Sequence, residues 1–294
     1  MKAEQQPFVD MANDGKNAWW RYALGLLLTL LLWIMGAAIL TVPIVEGSVP
    51  ANSSVGLALQ LMSFAPMLLL PLLMTRWLHG RSAGTLLGPA RRLNWRRIGA
   101  GFIVWVALAS LATLVDHLLH PGNVQLNPDF GRDLLPILIA IALVPIQTSA
   151  EEILYRGYLL QALGRLTRNW LVLSAVNGFL FTLPHLANTE AQTVGVLLAG
   201  LNWFASGFFF TLITLRSGSL DYALAVHAAN NLVSFIVFGY VDSSFPVISL
   251  FISQELYPVE SLVSYVVAAA IAYWLLNRRP GDVKASPGVV KTQN

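Results

Sequence analysis

The sequence predicts an all-α fold, a polytopic bundle of about eight transmembrane helices with both termini in the cytoplasm, and three observations predict it. Of 294 residues, 56% are hydrophobic and only 11% charged, with a mean hydropathy of +0.63, whereas soluble domains carry about 25% charged residues. Apolar segments of roughly 20 residues, the length that crosses a hydrocarbon core, recur along the chain. The loops between them alternate in basic content, as the positive-inside rule requires.

The segments run over 22–44, 57–78, 98–119, 134–155, 170–188, 192–215, 219–240 and 260–277. The first is too long for the roughly 7–15 residue core of a signal peptide and reads as a membrane helix. Lys16, Arg21, Arg76, Arg81, Arg91, Arg92, Arg96, Arg97, Arg165, Arg168 and Arg216 fall at one end of the spans. The loops at the other end, 45–56, 120–133, 189–191 and 241–259, hold Arg132 alone. This divides the chain into a cytoplasmic segment (1–21), three N-terminal spans (22–133), a core (134–240), an outer loop with the last span (241–279) and a tail (280–294) expected to be disordered. Residues 1–18 are polar and expected to be disordered or interfacial. The bias fits a bacterial inner membrane.

A pI near 9.3 does not point to nucleic acid, because the net charge is only +3 and the basic residues sit in short loops between apolar spans. The absence of cysteine excludes thiol catalysis, disulfides and thiolate-bound zinc. Expected partners are the bilayer and a membrane-associated peptide or protein.

The chemistry concentrates in Ser149-Ala-Glu-Glu-Ile-Leu-Tyr-Arg-Gly-Tyr158, where charges stand inside an apolar run. Ionisable groups at bilayer depth are costly and mark functional sites by default. On a helix Glu152 and Arg156 share a face and can pair, whereas Glu151 is rotated by about 100° and keeps its carboxylate for chemistry. The bland alternative is an ion pair closing a membrane helix at the interface. Two of the five histidines, His185 after Pro184 and His227 ahead of Asn230 and Asn231, are embedded in spans.

Taken together, Glu151-Glu152-x-x-x-Arg156, Phe181-x-x-x-His185 and His227-x-x-x-Asn231 resemble, in order and placement, the three motifs of the CAAX-protease and bacteriocin-processing (CPBP, or Abi) family of intramembrane proteases. That family includes the type II CAAX prenyl endopeptidases. The resemblance covers about residues 134–240. It implies Glu151 as the catalytic carboxylate, Glu152 and Arg156 in support, His185 and His227 as the essential histidines, and Asn231 as the asparagine. In those roles Glu151 activates water, assisted by His185, while His227 and Asn231 stabilise the oxyanion. Tyr155 and Phe181 are candidates for substrate contact. The family was first described as metal-dependent, and Glu151, His185 and His227 match a zinc ligand set. These ligands come from separate helices, without a His-Glu-x-x-His helix, and the resemblance to family members viewed as glutamate proteases implies a mechanism without metal.

Depth poses a problem, since Glu151 lies about 25 Å from the outer end of its helix and His227 about 12 Å from the cytoplasmic face. The fourth helix is therefore expected to be tilted or to run on towards Gly164, with Pro136, Pro145 and Pro184 as candidate kinks, around a water-filled cavity open to the cytoplasm. Two other classes compete. A membrane scaffold or immunity protein would use Gly195, Ala199, Gly200, Ser206 and Gly207 to hold a partner helix. A proton-coupled transporter would use the embedded charges, but no internal repeat supports it.

Overall fold

A computed structural model describes residues 7–241 and 243–277; the proposed tail, 280–294, lies outside them. Eight helices organise these residues: α1 (Trp19–Val45), α2 (Ser54–Trp77), α3 (Trp95–Leu119), α4 (Leu135–Leu163), α5 (Trp170–His185), α6 (Val196–Ser217), α7 (Asp221–Leu232) and α8 (Pro258–Asn277). Six are long and apolar enough to cross a membrane. The fifth and seventh segments are shorter than expected. Helix α5 stops at His185, and α7 passes into a π-helical stretch, Val233–Val237, before turning into a strand.

Side chains fix where the helices begin. Ser53 accepts a hydrogen bond from the Gly56 amide at the start of α2, Asn94 accepts from Arg96 and Arg97 at α3, and Asn169 from Leu171 and Val172 at α5. Each satisfies amides that the first helical turn leaves unpaired. Helix α2 breaks at Ser63–Phe64, and α6 ends on Gly218 in the left-handed region. Apolar side chains such as Leu27, Ile34, Ile39, Ile103 and Leu118 remain exposed on the outside of the bundle, as a lipid-facing surface demands.

Helices α5 and α6 approach at glycines. A Cβ on Gly207 would lie 2.8 Å from Gly178 Cα, and one on Gly178 would lie 2.9 Å from the Phe208 amide nitrogen. Gly207 thus packs within the bundle. The end poor in basic residues also carries a small sheet absent from the sequence reading: β1 (Val124–Leu126) pairs antiparallel with β3 (Phe251–Ser253), which pairs parallel with β2 (Phe238–Tyr240).

The opposite, arginine-rich end is closed by packing. Within the segment expected to be disordered or interfacial, Pro7–Asp10 and Met11–Asp14 form helical turns, with Phe8, Val9 and Ala12 buried. The polar composition hid these three apolar residues. Arg81 donates to the Met11 carbonyl and to Gln161, and Gln161 donates to the Thr85 carbonyl. His79, fully buried, lies 2.8 Å from the Lys16 carbonyl through Nδ1 and 2.9 Å from the Tyr158 hydroxyl through Nε2. Burial foremost, then the Arg81 and Arg21 guanidinium groups, push the His79 pKa down to about 4 against the opposing Lys16 bond.

A depressed histidine pKa means that the fold holds the neutral ring. The contribution is complete above the ordinary value of about 6.5 and is lost as pH falls towards 4. Thermal unfolding of detergent-solubilised protein is expected to show stability declining between pH 6.5 and 4, and His79→Gln is expected to remove that part of the decline.

Candidate active site

Helix α4 is the longer helix that the depth argument requires. It is α-helical to Glu152, π-helical over Ile153–Leu159, and α-helical again to Leu163, with Gly164 as its cap. In the π turn the Leu160 amide reaches back to the Tyr155 carbonyl, which also accepts from Asn177 Nδ2 at 2.7 Å. An inserted side chain of this kind is a usual cause of a π-bulge, and such bulges cluster at functional sites.

The three motifs converge below this turn. Arg156 donates to Glu152 Oε1 at 2.9 Å and to the Gly207 carbonyl at 3.1 Å, and all three protein groups are out of contact with solvent. The guanidinium carbon lies 4.4 Å from the Phe181 ring centre and 5.1 Å from that of Phe210. His227 Nδ1 sits 2.7 Å from the same Glu152 oxygen, and the imidazole stacks on Phe210 at 4.8 Å. Its other nitrogen, Nε2, stands 3.5 Å from Glu151 Oε2.

Glu151 is also held from the other side. Its Oε1 accepts from Gln147 Nε2 at 2.5 Å, and its Oε2 has no hydrogen-bond partner among the described residues. Gln147 Oε1 accepts from Asn231 at 3.1 Å, Asn231 Oδ1 accepts from Asn230 at 3.3 Å, and Asn230 Oδ1 accepts from Trp105 Nε1 at 3.1 Å. An indole N–H can only donate. Trp105 therefore fixes which way each amide in the row faces, and the row ends with a donor on Glu151. Gln147 and Trp105 escaped the sequence reading. Gln147 stands one helical turn before Glu151, a spacing that places both on one face, whereas nothing in the sequence joins Trp105 to them.

His185 lines the same cavity as Glu151 and His227 but is hydrogen-bonded within its own helix. Its Nδ1 is 2.8 Å from the Phe181 carbonyl, which makes Nδ1–H the donor and leaves Nε2 as acceptor in the neutral ring. The ring lies against Phe181 at 4.5 Å and Trp203 at 5.4 Å. Glu151, His185 and His227 do not bring three ligand atoms within 4.8 Å of one another. Among the described residues, Asp116, His120 and Glu260 do. The alternative zinc set of Glu151, His185 and His227 therefore does not have its ligand atoms gathered around one point.

Glu151, Tyr155, Phe181, His185, His227, Asn230 and Asn231 line a cavity of about 780 Å³. From them it extends past Ser234 and Ser264 to Glu190, Tyr240, Ser244, Glu255 and Tyr257. These last residues belong to the loops poor in lysine and arginine. The cavity thus extends from Glu151 towards the loops poor in lysine and arginine. At the arginine-rich end α4 continues beyond Arg156 into a packed layer of Phe8, Leu86, Tyr158, Leu160 and Leu220, each 0% exposed. At the opposite end Glu190 accepts from Tyr240 at 2.6 Å and from the Ser244 amide at 3.1 Å. Burial raises its pKa, but the Ser244 and Tyr240 hydrogen bonds outweigh burial and hold the carboxyl below the usual range.

Comparison with known proteins gives two findings. Residues 132–233 match the family model described as type II CAAX prenyl endopeptidase Rce1-like. The chain is also 34% identical over 255 residues to the uncharacterized protein YyaK of Bacillus subtilis (strain 168), covering 80% of this chain and 85% of that protein.

The buried ion pair makes a prediction of its own. Removing one partner strands the other charge, at a cost of about 3–5 kcal/mol, whereas removing both avoids that penalty. Arg156→Met is expected to unfold at markedly lower denaturant than the native chain, and the double variant Glu152→Gln/Arg156→Met is expected to recover part of the loss.

Proposed function

Because the chain belongs to the type II CAAX prenyl endopeptidase Rce1-like family, a family of membrane proteases, we propose that Glu151 is the general base of an intramembrane endopeptidase acting on a membrane-associated polypeptide. The observation that carries this reading is the difference between two adjacent carboxylates. Glu152 Oε1 is taken up by Arg156 and His227 and its side chain does not line the cavity, while Glu151 lines it, with Oε2 facing His227 Nε2 at 3.5 Å.

A water beside Glu151 Oε2, oriented by the acceptor nitrogen of His185, gives its proton to Glu151 as its oxygen bonds to the scissile carbonyl carbon. His227 carries a proton on each nitrogen in this reading, one bonded to Glu152 and the other facing Glu151. As Glu151 is neutralised, the second N–H turns to the developing oxyanion, so positive charge is already in place where negative charge appears. Collapse of the intermediate breaks the C–N bond, and Glu151 passes its proton to the leaving amine. The products are a carboxylate and an amine.

Asn231 serves in this scheme as a positioning residue, since its amide is engaged with Gln147. Tyr155 and Phe181, on the cavity wall, are the surfaces for substrate side chains. The scheme needs no metal. The family description brings prenylated CAAX-type proteins into consideration as substrates, and bacterial inner membrane is the proposed location.

Comparing peptide termini in membranes from cells carrying the native chain or Glu151→Gln at equal abundance tests the reading. We expect a precursor to accumulate with the variant, with purified cleavage activity down about 10²–10⁴-fold and native activity insensitive to chelators. Identical peptide profiles, combined with a change on deleting the whole protein, would replace the enzyme by a scaffold.

The amide row makes a separate prediction. Trp105→Phe keeps an aromatic ring in the core but removes the indole N–H, frees Asn230 to flip, and is expected to lower kcat by about 10–100-fold, the usual cost of losing an outer-shell partner. Unchanged KM and an unchanged unfolding temperature would mark the effect as positioning rather than loss of fold.

A further inference from the structure

We infer that Asp116, His120 and Glu260 form a binding site for a divalent transition-metal ion of the zinc type, which fastens the end of α3 to the start of α8. The site is separate from Glu151 and stands whether or not the chain is a protease.

Each of the three residues brings one ligand atom, and these atoms lie within 4.8 Å of one another. His120 Nε2 is 2.5 Å from Glu260 Oε2. Asp116 and His120 are four positions apart, so they share a face at the C-terminal end of α3, where the helix dipole favours a cation. Glu260 meets them from the first turn of α8. Zinc holds imidazole nitrogen and carboxylate oxygen at about 2.0–2.2 Å, so ligand atoms gathered this closely share one ion after small side-chain shifts.

The imidazole distinguishes the group from an acidic surface patch. Its ring is stacked on Tyr257, with centres 3.6 Å apart and planes 6° from parallel. The loops that carry the ligands are pinned as well. Asn123 donates to the Glu255 carbonyl at 3.0 Å and accepts from the Glu255 amide at 2.8 Å, and β1 pairs with β3 directly beyond. Ligands held in this way lose little freedom on taking up an ion.

Charge points the same way. Two carboxylates accompany one imidazole, and Arg132, the lone basic residue of the loops at this end, is paired with Asp129. The nitrogen ligand selects zinc-like ions over Ca²⁺ and Mg²⁺, which take oxygen. Asp116 stands about 16 Å along α3 from Trp105, and Trp105 packs edge-on against Tyr265 of α8 at 5.3 Å. An ion at the triad therefore joins the same two helices at a second point, and adds stability without entering the reaction.

The test is calorimetric titration of the full chain with zinc chloride, purified in detergent without a histidine tag and stripped with chelator. The lack of cysteine removes thiolate as a competing ligand. One equivalent is expected to bind and to raise the unfolding temperature by about 5 °C at saturation, whereas calcium and magnesium chloride leave it unchanged. His120→Gln and Glu260→Gln are each expected to weaken binding at least about 10-fold, since even an outer-shell partner is worth that much. Both are expected to unfold like the native chain when zinc is absent, and Glu151→Gln is expected to bind zinc as the native chain does. Zinc binding that survives both His120→Gln and Glu260→Gln, or that is lost in Glu151→Gln, would overturn the inference. So would a lack of binding at millimolar zinc, or an equal response to calcium.

Discussion

The structure depends on how it accommodates one buried cation. Taking a guanidinium out of water costs several kcal/mol even after relaxation, and Arg156 has no contact with solvent. What offsets that cost comes from four segments: Glu152 from the same helix, the Gly207 carbonyl from α6, and the faces of Phe181 and Phe210 from α5 and α6, while His227 of α7 shares the Glu152 oxygen. The carbonyl can reach the guanidinium because glycine at 178 and 207 lets α5 and α6 close up. Helix packing and site assembly are therefore one constraint. The same pairing separates the two glutamates, since Glu152 is engaged with the buried arginine while its neighbour Glu151 faces the cavity.

Hydrogen-bond direction supplies the second level of order. An amide in a row can flip, and a flip would present an oxygen to Glu151 instead of an N–H. The donor-only indole of Trp105 removes that freedom from Asn230, and each following amide inherits its orientation. Trp105 itself is pinned in an apolar cluster with Phe209 and Tyr265. A packing residue thereby determines the direction of the polar chain, which is how a buried network comes to specify one arrangement.

How much of this was legible in the sequence follows from the range of each interaction. Spacing alone exposed the Glu152–Arg156 pair, because i,i+4 geometry is local, and it singled out Glu151 for the same reason. The long apolar runs marked the membrane helices. Spacing could not show that α7 gives way to a π turn and a strand, since Val233–Val237 is as apolar as any span. Nor could it show Trp105 meeting Asn230 across 125 positions. The polar N-terminus misled because composition averages over the few residues, Phe8, Val9 and Ala12, that do the packing. The packed layer at the arginine-rich end escaped notice on similar grounds, because depth along each helix is read separately and says nothing of what packs across the helices.

That layer has a physical rationale of its own. A site that hydrolyses peptides within a bilayer needs water, and carboxylates at that depth need a polar cavity. Water reaching the site from both sides would join the two compartments through a path lined by Glu151 and His227, groups able to pass protons. Closing one end with apolar side chains satisfies both demands, since the charges stay hydrated from a single direction. It also accounts for the investment of chain in Pro7–Asp14 and in the His79–Gln161 network, which touch no part of the site. These elements form the closed end beneath the cavity, so the packing of the arginine-rich end and the polarity of the cavity answer to the same constraint.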